Sequence, residues 1–253
     1  MFRILLIASL FSLPAFAGET IVVSSGDKQT AVVELFTSEG CSSCPSADRW
    51  LSQLVASPRD ELDFLALAFH VDYWDYLGWK DRFAHADYTN RQRQLGANNL
   101  QHTIYTPEFF VNGMEVRGSN NILEKIQQSN AQPALIALEL TVTREQSTLV
   151  IDLHSPGERD AIGPVHLRYL VYENDLSTDV RRGENSGETL KHQQVVRYMS
   201  KAKNLQLDNR HRIAIDPKWN PERFGVAVLV TSPGNRHYLQ ALHTPVASLL
   251  NRP

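Results

Sequence analysis

Apolar and polar positions in the first half of the chain switch between the spacing of buried strands and that of helices. Continuous apolar runs over Ala31–Thr37 and Leu62–Phe69 are typical of buried strands. Between them, Cys44–Val55 carries its apolar residues on one helical face, and Asp81–Leu95 has the pattern of a polar helix. The pattern therefore predicts strands that alternate with helices.

A hairpin and a last helix follow. Asn112-Gly113 separates the short apolar runs 109–111 and 114–116, and this dipeptide is typical of a two-residue hairpin turn. Ser119 predicts the cap of a helix over residues 120–128. The predicted order is β-α-β-α-β-β-α, with the first two strands parallel because a helix crosses between them.

From Pro133 onward the pattern changes to short strands that Pro and Gly turns separate. The predicted strands are Ala134–Val142, Thr148–Leu153, Val165–Tyr172, Gln193–Tyr198, His211–Ile215, Phe224–Val230 and Tyr238–His243. Such a series favours an antiparallel sandwich. We therefore expect an α/β domain over residues 18–131, followed by an all-β sandwich-like domain over residues 132–253.

The N-terminal residues have the composition of a targeting segment. Arg3 precedes a short apolar run, and Ala15-Phe16-Ala17 resembles a small-x-small cleavage site, which predicts a signal peptide over residues 1–17. No later run has the length and apolarity of a membrane span, so we expect none in the mature chain. The predicted location is the periplasm or the extracellular space.

Composition limits the classes of partner. The chain has 25 Lys and Arg residues against 28 Asp and Glu residues and lacks basic clusters, which argues against a nucleic-acid partner. Its hydrophobic content of 42% without low-complexity segments is typical of a folded protein.

Candidate chemistry lies in Cys41-Ser42-Ser43-Cys44, which holds the only two cysteines and connects a predicted strand to a predicted helix. The unpaired N–H groups and the dipole at a helix N-terminus stabilise a thiolate and lower its pKa. Cys41 is therefore the candidate nucleophile, and Cys44 the candidate resolving thiol. A bridge that closes so short a ring stabilises the fold little, which favours a redox role over a structural one.

Further candidates follow the second strand. Parallel strands open their carboxyl ends onto one edge of a sheet, so His70, Asp72 and Trp74 are expected near the cysteines. His70 is a candidate for proton transfer, with Asp72 as a group that orients it, and Trp74 belongs to an aromatic stretch suited to a groove wall. The charged segment 181–188 is expected to be a solvated loop, with contact to a partner or to the first domain as the alternative. Glu39, next to the motif, is expected to be solvated as well.

On these residues the chain resembles the thioredoxin superfamily over about residues 29–130. The run from Glu34 to Pro45, together with His70–Asp75 and Tyr105-Thr106-Pro107, looks like the bacterial secreted family catalogued as domain of unknown function 1223. The resemblance implies a thioredoxin-like fold in which a cis Pro107 faces the cysteines and, with Thr106, aligns the substrate chain. It also suggests Glu34 as a buried acid near the motif. The Ser-Ser dipeptide and the preceding Gly40 depart from thioredoxin, so the direction of redox chemistry stays open.

The leading hypothesis is an exported thiol–disulfide oxidoreductase that acts through Cys41 and Cys44 without a cofactor. Its expected partners are a protein or small-molecule disulfide or thiol substrate and a redox partner protein. One alternative is a non-catalytic thioredoxin-like binding module. Another is a copper-binding or delivery protein, in which the cysteines would need an imidazole from His70, His85 or His102.

Overall fold

The structure is a computed structural model, and it describes residues 20–57, 61–157 and 163–246. The predicted signal peptide lies outside the described residues. The described chain is mixed α/β, with many strands and few helices. None of the helices in these ranges is both long and apolar enough to cross a membrane.

Three helices and five strands make up the first half. The helices are α1 (Cys44–Ala56), α2 (Ala86–Asn98) and α3 (Ser119–Asn130). The strands are β1 (Thr20–Ser24), β2 (Ala31–Thr37), β3 (Phe64–His70), β4 (Glu108–Val111) and β5 (Met114–Glu115).

Ten strands follow in the second half. They are β6 (Glu139–Glu145), β7 (Thr148–His154), β8 (His166–Glu173), β9 (Leu176–Asp179), β10 (Thr189–His192), β11 (Val195–Met199), β12 (Lys203–Asn204), β13 (Asp208–Ala214), β14 (Phe224–Thr231) and β15 (Tyr238–Pro245). The strand β9 pairs with β10 in an antiparallel hairpin.

The predicted order of the first half is confirmed, with three local differences. The strand β1 was not predicted, and it pairs with β6. The helix α2 begins at Ala86 rather than Asp81, because the His85 side chain accepts the N–H of Asp87 and caps the helix there. The residue that precedes α3 is Gly118, and Ser119 is already helical.

A nine-stranded sheet joins the two halves of the chain. Its order is β15-β14-β8-β11-β3-β2-β4-β5, with β12 beside β8. The predicted parallel pairing of β2 with β3 is confirmed, from Ala31 opposite Phe64 to Thr37 opposite His70. On its other edge β3 pairs with β11, where Val195 lies opposite Ala68. Strands from both predicted domains therefore share one sheet, and the domain boundary itself stays a prediction.

The second sheet has four strands in the order β1-β6-β7-β13. Its apolar residues, such as Leu140 and Ile151, form one buried cluster with residues of β8 and β14, such as Tyr169 and Val228. The two sheets thus enclose a core in the second half of the chain. The likeness of the first half to the thioredoxin superfamily stays a prediction.

The position of the candidate site follows from the buried central strands. Every residue of β2 is buried, as continuous apolar strands in the middle of a sheet require. The parallel strands β2 and β3 end side by side at Thr37 and His70, and α1 begins a few residues beyond β2. The cysteine motif therefore lies at the edge where both strands end.

Candidate redox site

Cys41 and Cys44 form a disulfide at the start of α1, with their Cα atoms 5.4 Å apart. Cys44 is the first residue of the helix, and its backbone N–H donates to the carbonyl oxygen of Cys41 at 3.2 Å. Pro45 occupies the first turn, where its missing N–H removes no helical hydrogen bond. The residues Cys41 and Cys44 are only 1% and 0% exposed. The pair therefore has the expected position on the helix but is covered.

Part of that cover comes from residues 180–188 between β9 and β10, which we call the covering loop. The side-chain N–H₂ of Asn185 donates to the carbonyl oxygens of Glu39 and Cys41, at 2.8 and 3.0 Å. The backbone N–H of Ser42 donates to a carboxylate oxygen of Glu184 at 3.1 Å. The expectation of a purely solvated loop is therefore wrong, because Asn185 is buried against the motif.

Five buried titratable side chains lie behind the motif, and we call them the Glu39 cluster: Glu39, Asp48, His70, Asp81 and His192. Glu39, expected to be solvated, is fully buried and accepts a hydrogen bond from the indole N–H of Trp79 at 2.8 Å. His192 lies between two carboxylates, 3.4 Å from Glu39 and 3.9 Å from Asp48.

His70 and Asp81 form the most closely paired part of this cluster. The Nδ1 of His70 lies 2.6 Å from Oδ2 of Asp81, which also accepts the backbone N–H of Glu39. Burial alone would lower the pKa of His70, but the Asp81 carboxylate together with Asp48 and Glu39 outweighs it, so the pKa is raised. Burial likewise opposes the charge of Asp81, whose pKa is nevertheless lowered by His70. Both shifts favour the form of the pair in which the imidazole is protonated and the carboxyl is ionised.

The pKa of Asp48 is shifted in the opposite direction to that of Asp81. It lies one turn after Cys44 on the buried face of α1, and it accepts a hydrogen bond from the hydroxyl of Thr37 at 3.1 Å. Burial raises the pKa of this carboxyl, and the nearby His192 and His70 only partly oppose the shift. Asp48 can thus hold a proton beside the motif at pH values where ordinary carboxyls are already ionised.

The cluster also keeps unused hydrogen-bonding capacity. Four of its buried atoms make no hydrogen bond among the described residues: Glu39 Oε1, His70 Nε2, and both ring nitrogens of His192, of which Nε2 lies 3.4 Å from Glu39 Oε1. Buried polar atoms are normally satisfied, so each exception calls for an explanation. A site that must take up and release protons is one such explanation.

The other predicted residues are placed as follows. Asp72 does not orient His70; its carboxylate accepts the hydroxyl of Thr89 at 2.6 Å, and Asp81 has the orienting position instead. The indole N–H of Trp74 donates to the Thr106 hydroxyl at 2.8 Å. A Cβ on Gly40 would lie 3.1 Å from the Cβ of Trp74, so this tryptophan connects the motif to Thr106.

The Thr106–Pro107 peptide bond is cis, as the resemblance implies. Pro107 lines a groove of about 430 Å³ together with Tyr105, Phe109, Val116, Arg117 and Gly118. This groove begins beside the Trp74–Thr106 contact, so a bound chain would have space next to that contact.

Glu34, the buried acid suggested by the resemblance, belongs to a different set of contacts. It accepts two hydrogen bonds from Arg91, at 2.5 and 3.0 Å. The hydroxyl of Tyr238 donates to Glu34 and accepts from Arg91, the latter at 2.7 Å. We call these three buried residues the Glu34 cluster. Its carboxylate is fully engaged by Arg91 and Tyr238, whereas the acids behind the cysteines are Glu39 and Asp48.

Sequence reasoning missed Asp48, Asp81 and His192. An acid on the apolar face of a helix, one turn after the motif, could have indicated Asp48. His192 is distant in the sequence, and nothing in the pattern connects it with the cysteines. Within the described ranges, no three His, Cys, Asp or Glu side chains are arranged to hold a metal ion. The copper alternative stays a hypothesis.

Comparisons with known proteins place the chain among relatives of similar fold. A crystal structure of a protein from Agrobacterium tumefaciens is 22% identical with a TM-score of 0.63, and the match covers 87% of this chain and 95% of that one. HBP35 of Porphyromonas gingivalis is 16% identical with a TM-score of 0.67, and the match covers 87% of this chain and 76% of that one. At these identities the likeness concerns the fold alone.

No curated protein matches the sequence. The model of one protein family, described as protein of unknown function (DUF1223), matches residues 32–231. This match takes in the cysteine motif, both buried clusters except Tyr238, and the covering loop. The chain belongs to the DUF1223 family.

Proposed function

We propose that this protein is a thioredoxin-like thiol–disulfide oxidoreductase of the periplasm or extracellular space. One observation carries the proposal: the Cys41–Cys44 disulfide lies at a helix N-terminus in front of buried acids and imidazoles with free hydrogen-bonding capacity. A purely structural disulfide needs no titratable groups behind it. Proton-transfer groups at such a position are typical of a site that changes its redox state.

The chemistry is a two-electron exchange. In the reduced protein, the Cys41 thiolate attacks one sulfur of a substrate disulfide, forms a mixed disulfide and releases the first substrate thiolate. The Cys44 thiolate then attacks the Cys41 sulfur, which restores the Cys41–Cys44 bond and releases the second substrate thiolate. The substrate gains two electrons that the protein loses, and the opposite direction reverses both steps. A redox partner protein resets the pair.

Proton transfer falls to the Glu39 cluster. Asp48, with its raised pKa, is suited to take the proton of Cys44 as that thiol becomes a nucleophile and to return it in the reverse step. His192 lies 3.9 Å from Asp48 and adjusts the charge around that carboxylate. His70 is held by Asp81 and influences the charge around Asp48 rather than carrying the mobile proton of the exchange.

Substrate access requires the covering loop to move, because a substrate sulfur must approach Cys41 directly and that residue is 1% exposed. Glycines with positive φ, Gly183 and Gly187, flank the part of the loop that holds Glu184 and Asn185. With the loop displaced, a substrate chain can lie along Trp74, Thr106 and Pro107. Displacement also removes the Glu184 carboxylate from the Ser42 N–H, which leaves this donor free near a thiolate.

The test uses two single-cysteine variants of the mature chain. Cys41→Ser removes the attacking thiolate and abolishes exchange with a model disulfide, whereas Cys44→Ser traps a mixed disulfide that gel electrophoresis detects without reductant. If both variants keep the activity of the wild type, the mechanism is wrong. If the reduced wild type itself exchanges no faster than a small free thiol, the protein is a non-catalytic binding module.

A further inference from the structure

A second cleft, whose lining includes no residue of the cysteine motif or of the Glu39 cluster, lies between α2 and the ends of β8 and β11. Its volume is about 180 Å³. One face of α2 supplies Asp87, Asn90, Arg91 and Gln94, and the opposite wall consists of Arg168, Met199, Ser200 and Lys201. Three of the residues that line the cleft are cationic, and one is a carboxylate.

Arg91 lies at the floor of this cleft with an unused donor. Its side chain is 2% exposed, and two of its three nitrogens are occupied by Glu34 and Tyr238. The third nitrogen, Nη1, is buried and has no acceptor among the described residues. An unsatisfied N–H on a buried guanidinium costs more than a neutral one, which implies an acceptor that a ligand would supply.

Arg168, on the opposite wall, also has a buried N–H group without an acceptor among the described residues. Its Nη1 donates to the carbonyl oxygen of Ser200 at 2.9 Å, while its buried Nε has no acceptor. Among the described residues Arg168 forms no ion pair with a carboxylate. Burial and then the neighbouring charge of Arg91 lower its pKa. Two guanidinium groups thus repel each other across the cleft, and each has an unpaired donor.

The cleft has the size of a small ion rather than of an organic cofactor. Its volume corresponds to about six water molecules at about 30 Å³ each, below the roughly 300 Å³ at which drug-sized sites begin. The third cation, Lys201, is exposed at the rim, as is the opposing carboxylate of Asp87. A multiply charged anion would be attracted by the guanidinium groups of Arg91 and Arg168 and by the Lys201 ammonium. The exposed carboxylate of Asp87 would repel it.

We propose that this cleft binds a tetrahedral oxyanion of the phosphate or sulfate class, held by the guanidinium groups of Arg91 and Arg168 and by the Lys201 ammonium, with a shift of the lining side chains that opens the buried Arg91 Nη1 and Arg168 Nε to the anion. Guanidinium groups pair with such oxyanions through charge-assisted hydrogen bonds. The site is separate from the cysteine motif and does not depend on the redox activity. Bound anion would satisfy both unpaired donors and screen the repulsion between the two arginines.

The experiment is a calorimetric titration of the mature wild-type chain with inorganic phosphate at constant ionic strength. We expect saturable binding at one site, and a rise in melting temperature that the same ionic strength of sodium chloride does not produce. Arg168→Gln should weaken binding by about tenfold or more, since it removes a charged donor. Arg93→Gln is the matched control, because Arg93 is an exposed arginine of the same helix that does not line the cleft.

Two results would overturn the proposal: phosphate that acts no differently from chloride, or equal losses of affinity in Arg168→Gln and Arg93→Gln. If Arg168→Gln does not fold, Lys201→Gln replaces it, since Lys201 is exposed, and a weaker phosphate affinity is again expected. A further titration uses acetate at equal ionic strength.

Binding of acetate as tight as that of phosphate would contradict a site for a tetrahedral dianion. Phenyl phosphate then separates a free anion from the phosphoryl group of a larger ligand.

Discussion

The Glu34 cluster and the Glu39 cluster both connect the first half of the chain to the second, but they use buried charge differently. In the Glu34 cluster one arginine and one tyrosine surround a single carboxylate with hydrogen bonds. In the Glu39 cluster three carboxylates and two imidazoles share few hydrogen bonds, and four buried atoms have none among the described residues. In the first arrangement the carboxylate is fully engaged and only Arg91 Nη1 lacks an acceptor among the described residues, whereas the second arrangement has capacity left for protons.

This difference indicates separate roles. A bidentate arginine–carboxylate pair has one stable charge state, and Arg91, although buried, has its pKa raised by Glu34. Two carboxyls of the Glu39 cluster have pKa values shifted in opposite directions, since burial raises the pKa of Asp48 and His70 lowers that of Asp81. Groups whose pKa values are driven apart are the usual basis of acid–base chemistry. We therefore assign stability to the Glu34 cluster and reactivity to the Glu39 cluster.

The largest expected effect comes from breaking the Glu34 cluster. Arg91→Met leaves the Glu34 carboxylate buried without its cation, which should lower the free energy of unfolding by about 3–5 kcal/mol. Urea unfolding of the oxidised protein measures this change. The double variant Glu34→Leu/Arg91→Met removes both charges and should lose less than Arg91→Met alone. A loss below about 1 kcal/mol in the single variant would contradict the structural role.

The next effect concerns rate rather than stability. His192→Phe keeps a ring beside His70 and Phe83 but removes the imidazole from between Glu39 and Asp48. Disulfide exchange should slow by about 10²-fold, in the range of acid–base contributions. Because His192 lowers the pKa of Asp48, the pH profile of exchange should also move upward.

A purely structural His192 would leave that profile unchanged. His211→Phe is the control, since His211 lies on the four-stranded sheet and contacts Tyr198. Its exchange rate should equal that of the wild type. An equal slowing in both variants would mean that loss of any histidine ring has this effect, which contradicts the specific role of His192.

Much of the fold follows from local pattern. The run Ala31–Thr37 is apolar throughout, and a fully buried central strand is the structure that suits it. The turn at Asn112 and Gly113 is equally local, since both residues adopt the positive φ that this dipeptide favours. The strand β1 was missed because its burial alternates and its pairing with β6 depends on residues more than a hundred positions away.

The candidate site was predictable only in its local part. The cysteines, their helix and the Thr106–Pro107 segment are encoded by neighbouring residues. Asn185 and His192 reach the motif because β11 pairs with β3 and brings the β9–β10 hairpin against α1. That placement depends on tertiary contacts, which leave no periodic pattern of residues in the sequence. Glu39 seemed solvated for the same reason, because the residues that cover it come from the second half of the chain.

A smaller effect tests the covering loop. Asn185→Ala removes two hydrogen bonds to the carbonyls of Glu39 and Cys41, so the loop should open more often. Reduction of the disulfide by a phosphine, which requires access but no catalysis, should accelerate by about 30-fold, since two hydrogen bonds at roughly 1 kcal/mol each amount to about 2 kcal/mol. Glu188→Gln, in the same loop but exposed, is the matched control and should not change the rate. An unchanged rate in Asn185→Ala would show that the loop does not limit access.

The smallest effect is the pH dependence of stability that His70 contributes. Its pKa is raised above 6.5 in the folded protein, so folding favours the protonated form. The stabilisation is complete below pH 6.5 and is lost as the pH rises through the folded-state pKa. The groups that face His70 are Asp81, Asp48, Glu39 and His192. The pKa values of His211 and His243 are lowered, so these histidines affect stability below pH 6.5 and leave the window above it to His70.

We therefore expect the free energy of unfolding of the wild type to fall between pH 6.5 and 9, with a slope of at most about 1.4 kcal/mol per pH unit for one proton. His70→Gln should flatten this slope, because glutamine does not titrate. The double variant Glu34→Leu/Arg91→Met should leave it intact, because this variant removes both charges of the Glu34 cluster and does not change His70. Urea unfolding at four pH values gives the free energy of unfolding of all three proteins. Equal slopes in the wild type and His70→Gln would mean that another group binds the proton responsible for the slope. This result would contradict the difference proposed between the Glu34 cluster and the Glu39 cluster.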